Sequence, residues 1–183
     1  MQSEELEKLQ YPVGKHQTPP SISSKDIEDW IEEIASFPIL LKTEVETLSP
    51  EELKWKYRPG GWSIRQVIHH CADSHMNSFI RFKLTLTEDA PVIKAYLENR
   101  WAELPDSNQP DIKESLYIME GLHSRWNLLL KNLSSKDLKR TFTHPETGKK
   151  ISLKYNICLY AWHCRHHLAH VKQAKKVKDK YCC

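Results

Sequence analysis

The chain is poor in glycine and rich in long stretches whose apolar residues recur with helical spacing. Only five of its 183 residues are glycine. Apolar side chains that recur every three or four positions form one face of an amphipathic helix, so long runs of this kind predict a mostly helical fold. The spacing predicts four long helices, at approximately 25–48, 63–86, 112–133 and 154–178.

Capping and turn residues lie between these helices. Ser49 with Glu52, and Ser63 with Gln66, have the spacing of capping boxes, in which the two residues bond each other's backbone N–H groups. Residues 141–153, TFTHPETGKKISL, alternate around a Thr-Gly turn. They predict a small β-hairpin directly before the last helix.

The length and the order of the elements predict the domain organisation. A chain of 183 residues is about the size of one domain, so we expect a single domain over 1–183. Within it, residues 1–22 are expected to be an extended N-terminal arm and residues 179–183 a short C-terminal tail. Four long helices, the middle two joined by a long link, predict an all-α four-helix bundle with crossover connections.

Charge and hydropathy exclude several classes of function. Lys and Arg total 27 against 24 Asp and Glu, and this net charge of +3 is too small to predict binding to nucleic acid or an anionic membrane. No apolar run approaches the roughly 18 to 20 residues that span a bilayer. Residues 1–17 are partly acidic and have no apolar core, so they do not resemble a signal peptide. Five cysteines without CxxC spacing predict reduced thiols and a cytoplasmic protein.

Four of the ten histidines lie within residues 161–170, AWHCRHHLAH. On a helical wheel, His163 and His167 border the apolar face one turn apart, where two imidazoles can bind one cation. His166 and His170 have the same spacing but point further toward the opposite face. The spacing alone equally allows four partly exposed histidines that bind no metal.

A metal site usually needs a third protein ligand, and the helix at 63–86 offers two candidates. His75 lies in the middle of the apolar stripe of this helix. His70 lies on a polar strip, which could either face solvent or line a wet cavity between helices. Periodicity nominates either histidine and does not choose between them.

Two stretches, YRPGGWSIRQVIHHCADSHMNSFIRFKLTLTE and LYAWHCRHHLAH, resemble the DinB-like superfamily. The resemblance covers nearly the whole chain, and it is closest to the metal-dependent hydrolases that include bacillithiol S-transferases. It implies an up-up-down-down four-helix bundle, often dimeric, that binds a divalent metal through three histidines. Matched by position, these ligands are His70, His163 and His167. His75 is then a residue of the core or a neighbour of a ligand.

The resemblance also implies an activity. One divalent cation per subunit is expected, most readily zinc, with nickel, manganese or iron also compatible. Three histidines leave a coordination position at which a water or a thiol can be activated. The implied function is that of a metal-dependent hydrolase or a bacillithiol-type S-transferase acting on a small molecule. The alternative is a non-catalytic metal-binding stress-response bundle.

Two further expectations concern the surroundings of the site and the assembly. Asp73 lies one helical turn from His70 and is a weak candidate for holding an imidazole N–H or shuttling a proton. The roles of His166 and His170 stay open, between neighbours of the ligands and solvated side chains. A homodimer is expected, and no nucleic-acid or membrane partner.

Overall fold

The computed structural model describes residues 3–182. Within that range the helices are α1 (Ser3–Gln10), α2 (Ser24–Val45), α3 (Ile64–Thr87), α4 (Glu98–Trp101), α5 (Lys113–Lys131) and α6 (Leu153–Val177). The strands β1 (Thr141–Thr143) and β2 (Lys150–Ser152) pair antiparallel, with Phe142 opposite Ile151. The four predicted long helices and the hairpin before the last of them are therefore confirmed.

Capping interactions determine where elements begin. The Ser63 hydroxyl accepts a hydrogen bond from the Gln66 N–H, and the Gln66 side chain accepts one from the Ser63 N–H, directly before α3. Ser49 and Glu52 exchange the same two bonds at the start of a short 3-10 turn. Both predicted capping boxes are present. Each satisfies backbone N–H groups that have no partner inside the helix.

The four long helices form a bundle in which each packs mainly against two others. α2 contacts α5 and α6, and α3 contacts the same two helices, so α2 and α3 face each other across the bundle. Contacts along the helices give their directions: Glu33 and Glu44 of α2 pair with Arg165 and Lys175 of α6, so these two helices run parallel, and α3 runs antiparallel to α6, since its Ser74 and Ser78 contact Tyr160 and Asn156. α3 and α5 run parallel, because His69 and His75 contact Ser115 and His123. The expected up-up-down-down order is therefore wrong: the order is up-down-down-up, and the long connection between α3 and α5 returns the chain along the bundle axis. Between residues 3 and 182, no helix has both the length and the apolar character needed to cross a bilayer. The core contains large side chains that are almost completely buried, among them Ile34, Phe37, Leu41, Ile68, Phe82, Met119, Trp126 and Ile157.

The N-terminal arm is not extended throughout, as predicted for residues 1–22, because its first part forms α1. A helix of eight residues is not stable alone in water and depends on tertiary contacts. The carbonyl oxygens of Leu9 and Gln10 accept hydrogen bonds from Gln173 Nε2 (2.9 Å) and His170 Nε2 (3.1 Å) of α6. These partners lie 164 and 160 residues away along the chain, so no local pattern indicates them.

The C-terminal tail begins with a 3-10 turn at Lys178–Tyr181. Residue 183 lies outside the described residues. The division of the chain into a single domain stays a prediction.

Candidate metal centre

The three histidines that the resemblance nominates lie together between α3 and α6. His70 comes from α3, and His163 and His167 come from successive turns of α6. One ring nitrogen of each lies within 4.8 Å of the other two. His70 Nε2 and His163 Nε2 are 3.3 Å apart. The centroid of the His167 ring lies 4.8 Å from that of His70 and 4.3 Å from that of His163.

The distance between the two Nε2 atoms fits nitrogens that share a cation. Two nitrogens bound to one tetrahedral zinc at roughly 2.0–2.1 Å lie about 3.3 Å from each other. Two imidazole lone pairs at the observed 3.3 Å repel each other unless a proton or a cation lies between them. A donor set of three imidazoles suits zinc, nickel or iron better than magnesium or calcium, which prefer oxygen ligands. The residues present therefore fit a divalent transition metal.

Burial keeps these imidazoles neutral. It lowers the pKa of His70 from 6.5 to about 4, and His166 adds a smaller electrostatic effect. Burial also holds the pKa values of His163 and His167 well below 6.5, and charge on the neighbouring histidine rings acts in the same direction. A metal binds the free lone pair of a neutral imidazole, so this environment favours ligation over protonation.

His75, the other candidate on α3, lies behind the group rather than within it. It is completely buried, and its Nε2 lies 3.0 Å from His163 Nδ1. Its Nδ1 lies 2.7 Å from Nε2 of His123 on α5, whose own Nδ1 lies 2.7 Å from the Ile34 carbonyl oxygen of α2. Of the two alternatives on α3, the structure thus brings His70 to the other two histidines. Sequence reasoning missed His123, because a single histidine on an amphipathic helix has no spacing signal.

A second group consists of His166, His167 and His170, whose ring nitrogens also lie within 4.8 Å of one another. Of the two alternatives left open for His166 and His170, solvated side chains are excluded, since only 8% and 2% of their surfaces are exposed. Tyr57 stacks on His170 with ring centroids 3.7 Å apart, and Trp162 stacks on His166 at 4.4 Å. His170 Nδ1 lies 3.4 Å from His167 Nδ1. Aromatic side chains and the arm therefore cover the face that the helical wheel turns away from the core.

The sequence matches the model of the DinB superfamily over residues 40–171, a range that includes every histidine of both groups. The chain belongs to the DinB superfamily. The resemblance of the paired histidine stretches is thereby confirmed.

Relatives of this DinB protein are named for metal-dependent hydrolysis. A relative from Oceanobacillus iheyensis, named "Putative metal-dependent hydrolase", is 53% identical over 169 residues, covering 92% of this chain and 97% of the relative. YfiT of Bacillus subtilis has the same description and is 45% identical over 168 residues, covering 92% and 94%. The solved structure of YfiT, described as "a probable metal-dependent hydrolase with an unusual four-helix bundle topology", matches with a TM-score of 0.89 at 44% identity. That match covers 92% of this chain and 97% of YfiT.

Asp73 does not support the site in the way the sequence suggests. Within residues 3–182, its carboxylate makes no hydrogen bond to any of the three nominated ligands, and the nitrogens Nδ1 of His163 and His167 face His75 and His170 instead. Burial, with a smaller contribution from the charge of Asp106, raises the pKa of Asp73 to about 6. The spacing of one turn from His70 places the two residues on one helix but does not aim the carboxylate at an imidazole.

The five histidines of the two groups line a cavity of about 410 Å³. Tyr57, Trp62 and Glu98 line the same cavity. An adjoining cavity of about 580 Å³ also contains His163 and Glu98. Together these spaces can hold a small molecule directly beside the imidazoles. A cavity of about 590 Å³ beside Val45 holds none of these histidines, so volume alone does not identify the site.

Proposed function

We propose that this DinB-superfamily protein is a metal-dependent hydrolase of a small molecule, with a divalent cation held by Nε2 of His70, His163 and His167. The observation that carries the proposal is the convergence of three neutral imidazoles on the wall of a cavity. The names of the relatives support the hydrolase class. A bound cation would supply Lewis-acid chemistry and lower the pKa of a water or a thiol at its open position.

The surrounding side chains have separate tasks in this proposal. Trp62 packs 4.7 Å from the His70 ring, and Tyr57 covers His170, so the aromatic rings limit the access of water from this side. Glu98 lines both cavities and, in place of Asp73, is the carboxylate that we assign to accept a proton from the nucleophile. Arg58 lines the first cavity and can attract an anionic group of the substrate.

The identity of the metal, its number per chain and the location of the protein in the cell are also part of this proposal. Zinc is the first candidate, since it accepts three imidazoles and one exchangeable ligand. Nickel, manganese and iron compete for such a site according to their availability. We propose one ion per chain and retain the cytoplasmic location as a prediction.

The test is a turnover assay on protein loaded separately with zinc, nickel, manganese or iron. One arm offers a panel of esters and amides, and a parallel arm offers low-molecular-weight thiols, bacillithiol included, with an electrophile. Mass spectrometry of the products then separates hydrolysis from thiol conjugation. We expect metal-dependent hydrolysis that is lost in His163→Ala. Thiol adducts without hydrolysis would instead support S-transfer, and metal binding without any turnover would support the non-catalytic stress-response bundle.

His69→Ala is the matched control for His70→Ala. His69 is the neighbouring residue and is also buried, but its Nδ1 lies 2.8 Å from the Ser115 hydroxyl and not in the site. We expect His69→Ala to retain metal and turnover, whereas His70→Ala loses both. Equal losses in the two variants would indicate general damage to the fold and would contradict the assignment of His70.

A homodimer is also part of the proposal. Ile39 of α2 and Leu128 of α5 expose 71% and 69% of their surfaces, which supports an apolar contact between subunits. Light scattering during gel filtration should give twice the mass of the chain. A mass of one chain at micromolar concentration would contradict it.

A further inference from the structure

Two hydrogen-bonded series of imidazoles lead away from the proposed ligands of α6, and each ends on a backbone carbonyl. The core network consists of His163, His75, His123 and the carbonyl of Ile34, with successive nitrogen–nitrogen distances of 3.0 and 2.7 Å and a final contact of 2.7 Å. It connects α6 to α3, α5 and α2. Its two inner histidines are 0% and 2% exposed, so water does not compete for these bonds.

The terminal carbonyl fixes the direction of every bond in the core network. A carbonyl oxygen only accepts, so His123 Nδ1 carries the hydrogen and donates it to Ile34. A neutral imidazole has one N–H, so Nε2 of His123 accepts from Nδ1 of His75. By the same step, Nε2 of His75 accepts from Nδ1 of His163. His163 Nε2 is then left with its lone pair, and this is the nitrogen that faces His70.

The rings of the core network are neutral because no counter-charge reaches them. Among the described residues, the hydrogen-bond partners of His75 and His123 are two imidazoles and a carbonyl, and no carboxylate. A buried charge without a partner is strongly unfavourable. Burial accordingly lowers the pKa of His123 to about 4.

The arm network gives the same result at the other ligand of α6. It consists of His167, His170 and the carbonyl of Gln10, at the end of α1 where carbonyls have no partner within the helix. His170 Nε2 donates to this carbonyl at 3.1 Å, so its Nδ1 accepts from His167 Nδ1 at 3.4 Å. Nε2 of His167 is therefore also left with its lone pair.

We propose that His75, His123 and His170 are positioning residues that hold both α6 ligands as Nδ1–H tautomers, so that both present Nε2 to the same divalent cation. The proposal rests on the proposed metal site for its purpose, but the tautomers it specifies are properties of the protein alone. Hydrogen bonds to the outer nitrogen of a metal-binding histidine typically change metal affinity 10- to 100-fold. Here other imidazoles, rather than carboxylates, supply those bonds.

The first test is the tautomer state of the wild-type protein, read from long-range ¹H–¹⁵N spectra of the imidazoles. We expect Nδ1–H for His75, His123, His163 and His167, and Nε2–H for His170. An Nε2–H tautomer at His163 or His167 would overturn the proposal. This readout needs no metal, so the predicted tautomers in a protein that takes up no zinc would retain the positioning network and refute the metal-dependent function.

The second test separates positioning from packing at one residue. His75→Phe fills the space but offers no acceptor, whereas His75→Gln offers an oxygen to His163 Nδ1 and an N–H to His123 Nε2. In competition with a chromophoric chelator, we expect His75→Phe to weaken Zn²⁺ binding about 10- to 100-fold. His75→Gln should restore most of it, and His69→Gln should change nothing. Equal affinity in His75→Phe and His75→Gln would overturn the proposal, and the wild-type spectra decide it even if His75→Phe does not fold.

Discussion

The two proposed ligands of α6 are supported from opposite sides, and the supports differ in kind. His163 is held by the core network, whose bonds lie inside the bundle and end on Ile34 of α2. His167 is held by the arm network, which has one fewer imidazole, a longer nitrogen–nitrogen contact and an end on the short helix α1. The core side is therefore fixed by the packing of four helices. The arm side depends on a short terminal helix, which we expect to open locally more readily than the four long helices.

The largest expected effect distinguishes the proposed ligand group, His70, His163 and His167, from the second group, His166, His167 and His170. His163 belongs only to the first group and His166 only to the second. We expect His163→Ala to reduce bound metal from about one ion per chain to nearly none, because two imidazoles rarely retain a cation. His166→Ala should leave metal occupancy nearly unchanged. Elemental analysis after metal loading and desalting measures the metal content of both variants. The reverse pattern would assign the metal to the second group.

Acidification should lower the free energy of unfolding through the histidines of both the core network and the arm network. Burial lowers the pKa values of His70 and His123 to about 4 and that of His170 to about 3, whereas unfolded histidine titrates near 6.5. Below pH 6.5 the unfolded chain thus binds more protons than the folded one, so stability is fully present above that pH and is lost as the pH falls toward 4. Urea unfolding of the metal-free protein should lose several kcal/mol between pH 7 and pH 4.5. A flat profile would show that these histidines are not buried as neutral rings.

Removing an imidazole from the core network should destabilise the protein more than removing one from the arm network. His123→Ala leaves the Ile34 carbonyl unpaired among buried side chains and opens a cavity, which should cost about 3 kcal/mol. His170→Ala should cost only about 1 kcal/mol, because water can reach the Gln10 carbonyl when α1 shifts. Urea unfolding of the metal-free variants compares the two. A larger loss of stability in His170→Ala would show that the arm network, and not the core network, is the more firmly held of the two.

The smallest expected effect comes from loosening α1 alone. Gln173 Nε2 donates to the carbonyls of Leu9 and Tyr57, so Gln173→Ala removes one bond that holds the arm and one to the segment before α3. We expect a loss of about 1 kcal/mol, faster amide exchange in residues 5–10 and less than a tenfold decrease in zinc affinity. The exposed Gln17 provides a control substitution to Ala with no effect. Unchanged amide exchange in α1 would show that other contacts hold the arm.

Local patterns predicted what local interactions determine. The Ser63 capping box and the i,i+4 spacing of His163 and His167 involve residues within one turn of each other, and the structure contains both. The choice between His70 and His75 could not come from periodicity, because it depends on how α3 is rotated against α6. The resemblance to a family supplied that information.

The surroundings of the site could not be predicted, because their contacts are distant in sequence. His123 meets His75 across 48 residues and Ile34 across 89. The burial of His170 depends on α1 and on Tyr57, and no sequence pattern at either one indicates a contact with α6. A helical wheel orients a residue on its own helix but does not show what covers that face. Proximity along the helix makes Asp73 only a weak candidate, and the Nδ1 atoms of His163 and His167 contact the imidazoles of His75 and His170 instead.

The most direct test is the anomalous diffraction of crystals grown with zinc. We expect one anomalous peak per chain, about 2.0–2.1 Å from Nε2 of each of His70, His163 and His167. A peak centred on His166, His167 and His170, or no peak at either group, would contradict the central claim.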